Sequence, residues 1–175
     1  MTDRFKRLDE ALAEYSLKLY YERLHGPRSA SILERQRWQT PLDLLISSSE
    51  DEPLNRSVES FGNGQQYETI IYGKGALFYS RLREILGDRR FQRFLRDYLA
   101  NHRYQIVDTE TWRESLQSLQ LPELEMLFDE WVGEESPPEP TPLPDAPADE
   151  DDSGESGDEQ SEGDRGVEEK VPDTL

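Results

Sequence analysis

At 175 residues with no cysteine, the chain has the length of one domain, with neither a disulfide framework nor a thiolate metal site. Its net charge of −18 is unevenly placed: residues 134–175 carry 16 acidic and 2 basic side chains, against 22 and 18 in residues 1–133. The front part therefore has no basic excess with which to neutralise phosphates, which argues against direct nucleic-acid binding. No apolar run approaches the length of a membrane span.

The N-terminus, MTDRFKRLDEALAEY, lacks the apolar centre of a signal peptide. With no address label, the chain reads as cytoplasmic by default. Residues 7–25 predict an amphipathic helix, with Leu8, Ala11, Leu12, Tyr15 and Leu19 on one face. His25, Gly26 and Pro27 then supply a stop. A second helix is expected over about 29–47, with Ile32, Leu33, Trp38, Leu42, Leu44 and Leu45 as its apolar set. Pro41 should kink or restart it, with Thr40 as the cap. Residues 47–64 are rich in turn formers and read as a loop.

A third helix is expected from about Tyr67 to Leu86, although Gly73 and Gly75 flank Lys74 near its start. Two glycines cost a helix about 1 kcal/mol each relative to alanine, so a gain in packing or chemistry is expected there. Gly87 ends this helix and Asp88 is read as the cap of a fourth, striped by Phe91, Phe94, Leu95, Tyr98 and Leu99. Asp108 or Thr109 caps a fifth, bearing Trp112, Leu116 and Leu119. Pro122 opens a sixth, bearing Leu124, Leu127, Phe128 and Trp131. No segment alternates with period two. The fold class is all-α, about six helices. Both histidines, His25 and His102, fall near helix C-termini, where the dipole favours them, and neither has a second histidine at ligand spacing.

From Glu134 onward the chain holds seven of the eleven prolines and no aromatic residue. Such a segment cannot bury enough apolar surface to offset its ordering entropy. It is read as a disordered, solubilising acidic tail, and the domain division as 1–133 plus 134–175.

Four stretches in one order, LDEALAEYSLKLYYE (8–22), YGKGALFYSRLREILGD (72–88), RFQRFLRDYL (90–99) and LEMLFDEWV (124–132), carry a resemblance. Together they resemble the helical second half of the catalytic domain of alanyl aminopeptidases, zinc metallopeptidases of the gluzincin type with a thermolysin-like site. The resemblance covers roughly residues 7–133. It implies peptide substrates hydrolysed at the N-terminus, and zinc held by two histidines of an H-E-x-x-H helix and a later glutamate. Glu10 takes that third ligand position. Tyr72 takes the place of the tyrosine that donates to the oxyanion, with Lys74 and Gly75 in support.

Two positions depart from the family pattern: Arg7 stands where a tryptophan is expected and Ala11 where a glycine is. H-E-x-x-H itself does not occur in these 175 residues. The resemblance therefore implies a fragment or truncated member, inactive alone, not holding zinc by itself, and partnered by the missing upstream half of the domain. The helices of such a fragment should leave some of Leu8, Leu12, Tyr15, Ile71 and Phe78 exposed. The alternative is a non-catalytic helical module that binds another protein, with the acidic tail as solubiliser.

The tail reading carries its own test. Amide exchange of the whole chain should show residues beyond about 135 unprotected, and protection anywhere in 140–170 would contradict it.

Overall fold

The computed structural model describes residues 7–105 and 107–133. The proposed acidic tail, from residue 134, lies outside the described residues. Within them the protein is all-helical, with eight α-helical segments: α1 (Arg7–His25), α2 (Pro27–Leu33), α3 (Thr40–Ser47), α4 (Gly64–Tyr67), α5 (Gly75–Leu86), α6 (Asp88–Asn101), α7 (Thr109–Gln117) and α8 (Pro122–Trp131). Two π-helical turns, Glu34–Gln39 and Glu68–Lys74, join α2 to α3 and α4 to α5 without a break. The eight segments thus form six continuous helical stretches. No described helix is long and apolar enough to cross a membrane.

The punctuation follows local chemistry. Gly26 turns α1 into α2 at φ +82, with Pro27 in the first turn of the new helix. Gly87 does the same before α6 at φ +72. Asp108 caps α7, accepting from the Thr111 N–H at 2.8 Å.

Two expected caps are not caps. Thr40 is helical and its N–H reaches the Arg35 carbonyl, five residues back. The widened turn carries the helix across Pro41, where a regular turn would meet the proline ring. Asp88 is the first residue of α6, and its carboxylate takes a hydrogen bond from Arg83 Nε at 2.7 Å.

The core is aromatic. Tyr15 stacks on Tyr79 and meets Phe91 edge-on, and Trp112 is ringed by Phe78, Tyr79, Phe94 and Tyr98 at centroid distances of 5.5–5.7 Å. Offset and edge-to-face rings such as these add to the apolar burial. The expected exposure of Leu8, Tyr15, Ile71 and Phe78 is not found, because all four are buried, while Leu12 is half-buried against the same core. Trp112 of α7 and Phe128 of α8 pack on Phe78 of α5. Ile32, Leu44 and Leu99, expected inside, are exposed instead.

The connection after α3 is pinned rather than loose. Leu54 is buried, and the Leu54 and Asn55 N–H groups donate to the carbonyls of Trp131 and Val132 at 3.0 Å. Lys74, also buried, donates to both carboxylate oxygens of Asp51 (2.8 and 2.9 Å) and to the Glu52 carbonyl (2.9 Å). All three ammonium protons are thereby placed.

Gly75 explains one of the two costly glycines. A Cβ there would stand 2.5 Å from the Ala11 Cβ on α1, so only glycine admits the approach of the two helices. Gly73 is different, since a Cβ would meet only Trp38, its Cα at an ordinary 3.7 Å and its Cβ at 3.9 Å. Gly75→Ala should therefore destabilise the protein by about 1–3 kcal/mol. Gly73→Ala should lie within about 1 kcal/mol of the parent, on the stabilising side. Urea midpoints of the two variants check this, and equal effects would refute the packing argument.

Candidate functional site

Glu10 lies in the first turn of α1, half-buried, on a helix whose opposite side enters the core through Leu8, Ala11 and Tyr15. Tyr72 lies in the π-helical turn that leads into α5. The Ala11–Gly75 contact brings these two elements together, and the Glu10 carboxylate lies near enough to the Tyr72 phenol for its charge to act on it. Desolvation first, then the nearby Glu10 carboxylate, raise the Tyr72 pKa. Glu14 and Glu68 push it the same way.

Sequence reasoning missed Tyr67. In a regular α-helix, residues five apart are separated by about 140° beyond a full turn, so Tyr67 and Tyr72 would face different ways. The π turn closes through a bond from the Gly75 N–H to the Ile70 carbonyl, five residues back. This widening brings the two rings edge to face at 6.2 Å. The Tyr67 hydroxyl then donates to Glu10 Oε2 at 3.4 Å. Glu10 thus has a phenol from each of two tyrosines near it.

Glu14, one turn after Glu10, would pass in the sequence for an ordinary hydrated face. Here it accepts from Arg37 Nε at 2.5 Å and from the indole N–H of buried Trp38 at 2.8 Å. A tryptophan buried by the π turn needs such an acceptor. Glu14, Arg37, Trp38, Glu68, Thr69 and Tyr72 line a cleft of about 420 Å³. Its arginine is already matched to a carboxylate, and its remaining lining includes the amides of Gln36 and Gln65.

The histidines do not join this cleft. His25 ends α1 with its ring 5.1 Å from Tyr21, and His102 follows α6 with its ring 4.8 Å from Tyr98. Among the described residues, no group of three or more His, Asp or Glu side chains is placed to hold a metal ion. A zinc site needs three or four protein ligands, so the donors that these residues bring together do not fit zinc by themselves. Tyr72 lines the cleft with the carboxylates of Glu14 and Glu68, and a phenol so placed is able to donate to a developing oxyanion.

Desolvation opposes ionisation of Glu14 most strongly, but the hydrogen bonds from Arg37 and Trp38 and the Arg37 charge outweigh it and lower its pKa. A lowered folded-state value stabilises the fold above the ordinary value of 4.5, and that contribution is lost as pH falls through the folded value. Glu14→Gln should therefore cost about 0.5–1 kcal/mol at pH 7 and little at pH 3. Urea midpoints at both pH values check this, and a pH-independent difference would contradict the ion-pair account.

The family model described as the Peptidase family M1 domain matches residues 7–131, from the start of α1 to the end of α8. No solved structure matches the chain.

Proposed function

The chain belongs to peptidase family M1, and on that premise we propose that residues 7–131 are the helical part of a metallopeptidase catalytic domain that removes N-terminal residues from peptides. The observation that supports this reading is that the Glu10 carboxylate lies near enough to the Tyr72 phenol for its charge to raise the Tyr72 pKa, although the two come from separate helical stretches. In it Glu10 holds the third zinc-ligand position of the family. Tyr72, kept protonated by burial and by the Glu10 charge, donates to the oxyanion that forms on the scissile carbonyl. Lys74 and Gly75 act at one remove, the first by fastening the 50s loop and the second by admitting the helix approach.

The two imidazoles and the general base that the family uses are not among these 175 residues. In this reading they come from another polypeptide segment, the chain by itself is inactive and holds no zinc tightly, and residues 134–175 are a solubilising tail. A second reading is favoured by one observation: Leu8, Tyr15, Ile71 and Phe78 are covered by the chain's own helices. A core so enclosed suits a stand-alone, non-catalytic module that binds another protein.

Zinc calorimetry and a fluorogenic alanyl-peptide assay, with and without a complementing polypeptide that carries the family's H-E-x-x-H helix, separate the two. The peptidase reading expects no tight zinc site and no turnover for the chain alone, and activity on complementation. Tyr72→Phe should then lower kcat by about 100- to 1000-fold. Failure to complement would favour the interaction module. A stoichiometric sub-micromolar zinc site in the chain alone would overturn the assignment of ligands.

A further inference from the structure

A second cleft, between α6 and α7, shares no lining residue with the one beside Tyr72. It encloses about 350 Å³, within the range of small-molecule sites. Its apolar lining is aromatic: Phe94 and Tyr98 stack at 6.1 Å, and the His102 ring tilts against Tyr98. Arg90 and Arg93, one turn apart on α6, line the same cleft and are exposed.

The charge of those two guanidiniums is what sets the cleft apart. Arg37, in the cleft beside Tyr72, pairs with Glu14, and Arg113, in the small cavity against α8, pairs with Asp129. Arg90 and Arg93 have no carboxylate partner among the described residues, although Asp97 lines the same cleft one turn on from Arg93. The hydroxyls of Ser115 and Ser118 already donate to carbonyls of their own helix, to Thr111 at 2.9 Å and Ser115 at 2.7 Å. The donors left without a partner are therefore the two guanidiniums, the His102 imidazole, the Asn101 amide and the buried Tyr98 hydroxyl.

We propose that the α6–α7 cleft binds a small phosphate monoester with an aromatic or heteroaromatic body. Two planar guanidinium forks match phosphate oxygens in geometry and in charge. A phosphate offers three terminal oxygens to the two guanidiniums against a carboxylate's two, while the Asp97 carboxylate in the same cleft leaves a net charge of +1 on these three side chains. Phe94 and Tyr98, both buried, form the apolar floor on which the flat body of the ligand rests. The site is independent of the peptidase reading and involves none of its residues.

Calorimetric titration of the whole chain with phenyl phosphate, inorganic phosphate and benzoate tests this. Phenyl phosphate should bind saturably and about tenfold or more tighter than either of the others. Arg90→Gln with Arg93→Gln should weaken it by about tenfold or more. Arg89→Gln with Arg96→Gln removes the same charge from the same helix outside the cleft, and should change binding by less than about twofold. All four arginines are exposed, and thermal melts would confirm that both variants fold. Equal weakening by the two pairs would reduce the effect to the general field of α6 and overturn the proposal. So would parity of phenyl phosphate with inorganic phosphate, parity with benzoate, or the absence of saturable binding.

Discussion

The contact between Ala11 on α1 and Gly75 at the start of α5 governs the rest of the structure. With no Cβ on Gly75, the two backbones approach until the alanine methyl fills the space a side chain would need. From that point contacts advance in the same direction along both helices: Lys18 donates to Ser80 at 3.1 Å, and Arg83 reaches Glu22 at 2.6 and 3.1 Å. Lys18 also pairs with Glu34, tying the first π turn to the same pair of helices. Tyr79 crosses the interface to donate to the Leu8 carbonyl at 3.0 Å. A wider spacing would weaken each of these in turn and would withdraw Tyr72 from Glu10.

The two π turns act on the same geometry from the other side. The turn at Glu34–Gln39 buries Trp38 and presents Arg37, so that both reach Glu14. The turn at Glu68–Lys74 overlays Tyr67 and Tyr72. Widened turns of this kind are costly in regular helices and recur where a side chain must be re-aimed. Here both re-aim side chains toward α1, one pair onto Glu14 and the other onto Glu10.

Much of the helical layout was legible because its punctuation is chemical: Gly26 and Pro27, Gly87, Asp108, and Pro122 mark helix ends by backbone rules that tertiary context seldom overrides. The π turns were not legible, since no residue preference announces them. Their absence from the reading accounts for specific misses. The exposed Ile32 and Leu44 flank the first turn, which resets the phase of an apolar stripe counted at 3.6 residues. Tyr67 was overlooked because a five-residue spacing places it off the Tyr72 face in a regular helix. At the candidate site, the positions of Glu10 and Tyr72 came from family resemblance. The role of Gly75 came only from coordinates, because a glycine in a sequence does not say which neighbour it admits.

A double-mutant cycle on Ala11 and Gly75 tests most directly whether this one contact sets the geometry. Ala11→Gly alone should cost about 1 kcal/mol of helix propensity, and Gly75→Ala alone should cost its overpacking penalty. Together, the vacated methyl makes room for the new one, so the double variant should recover most of the Gly75→Ala loss, with a favourable coupling of about 1–3 kcal/mol. Strictly additive losses would mean that the two residues do not meet, and the proximity of Glu10 and Tyr72 would lose its structural basis.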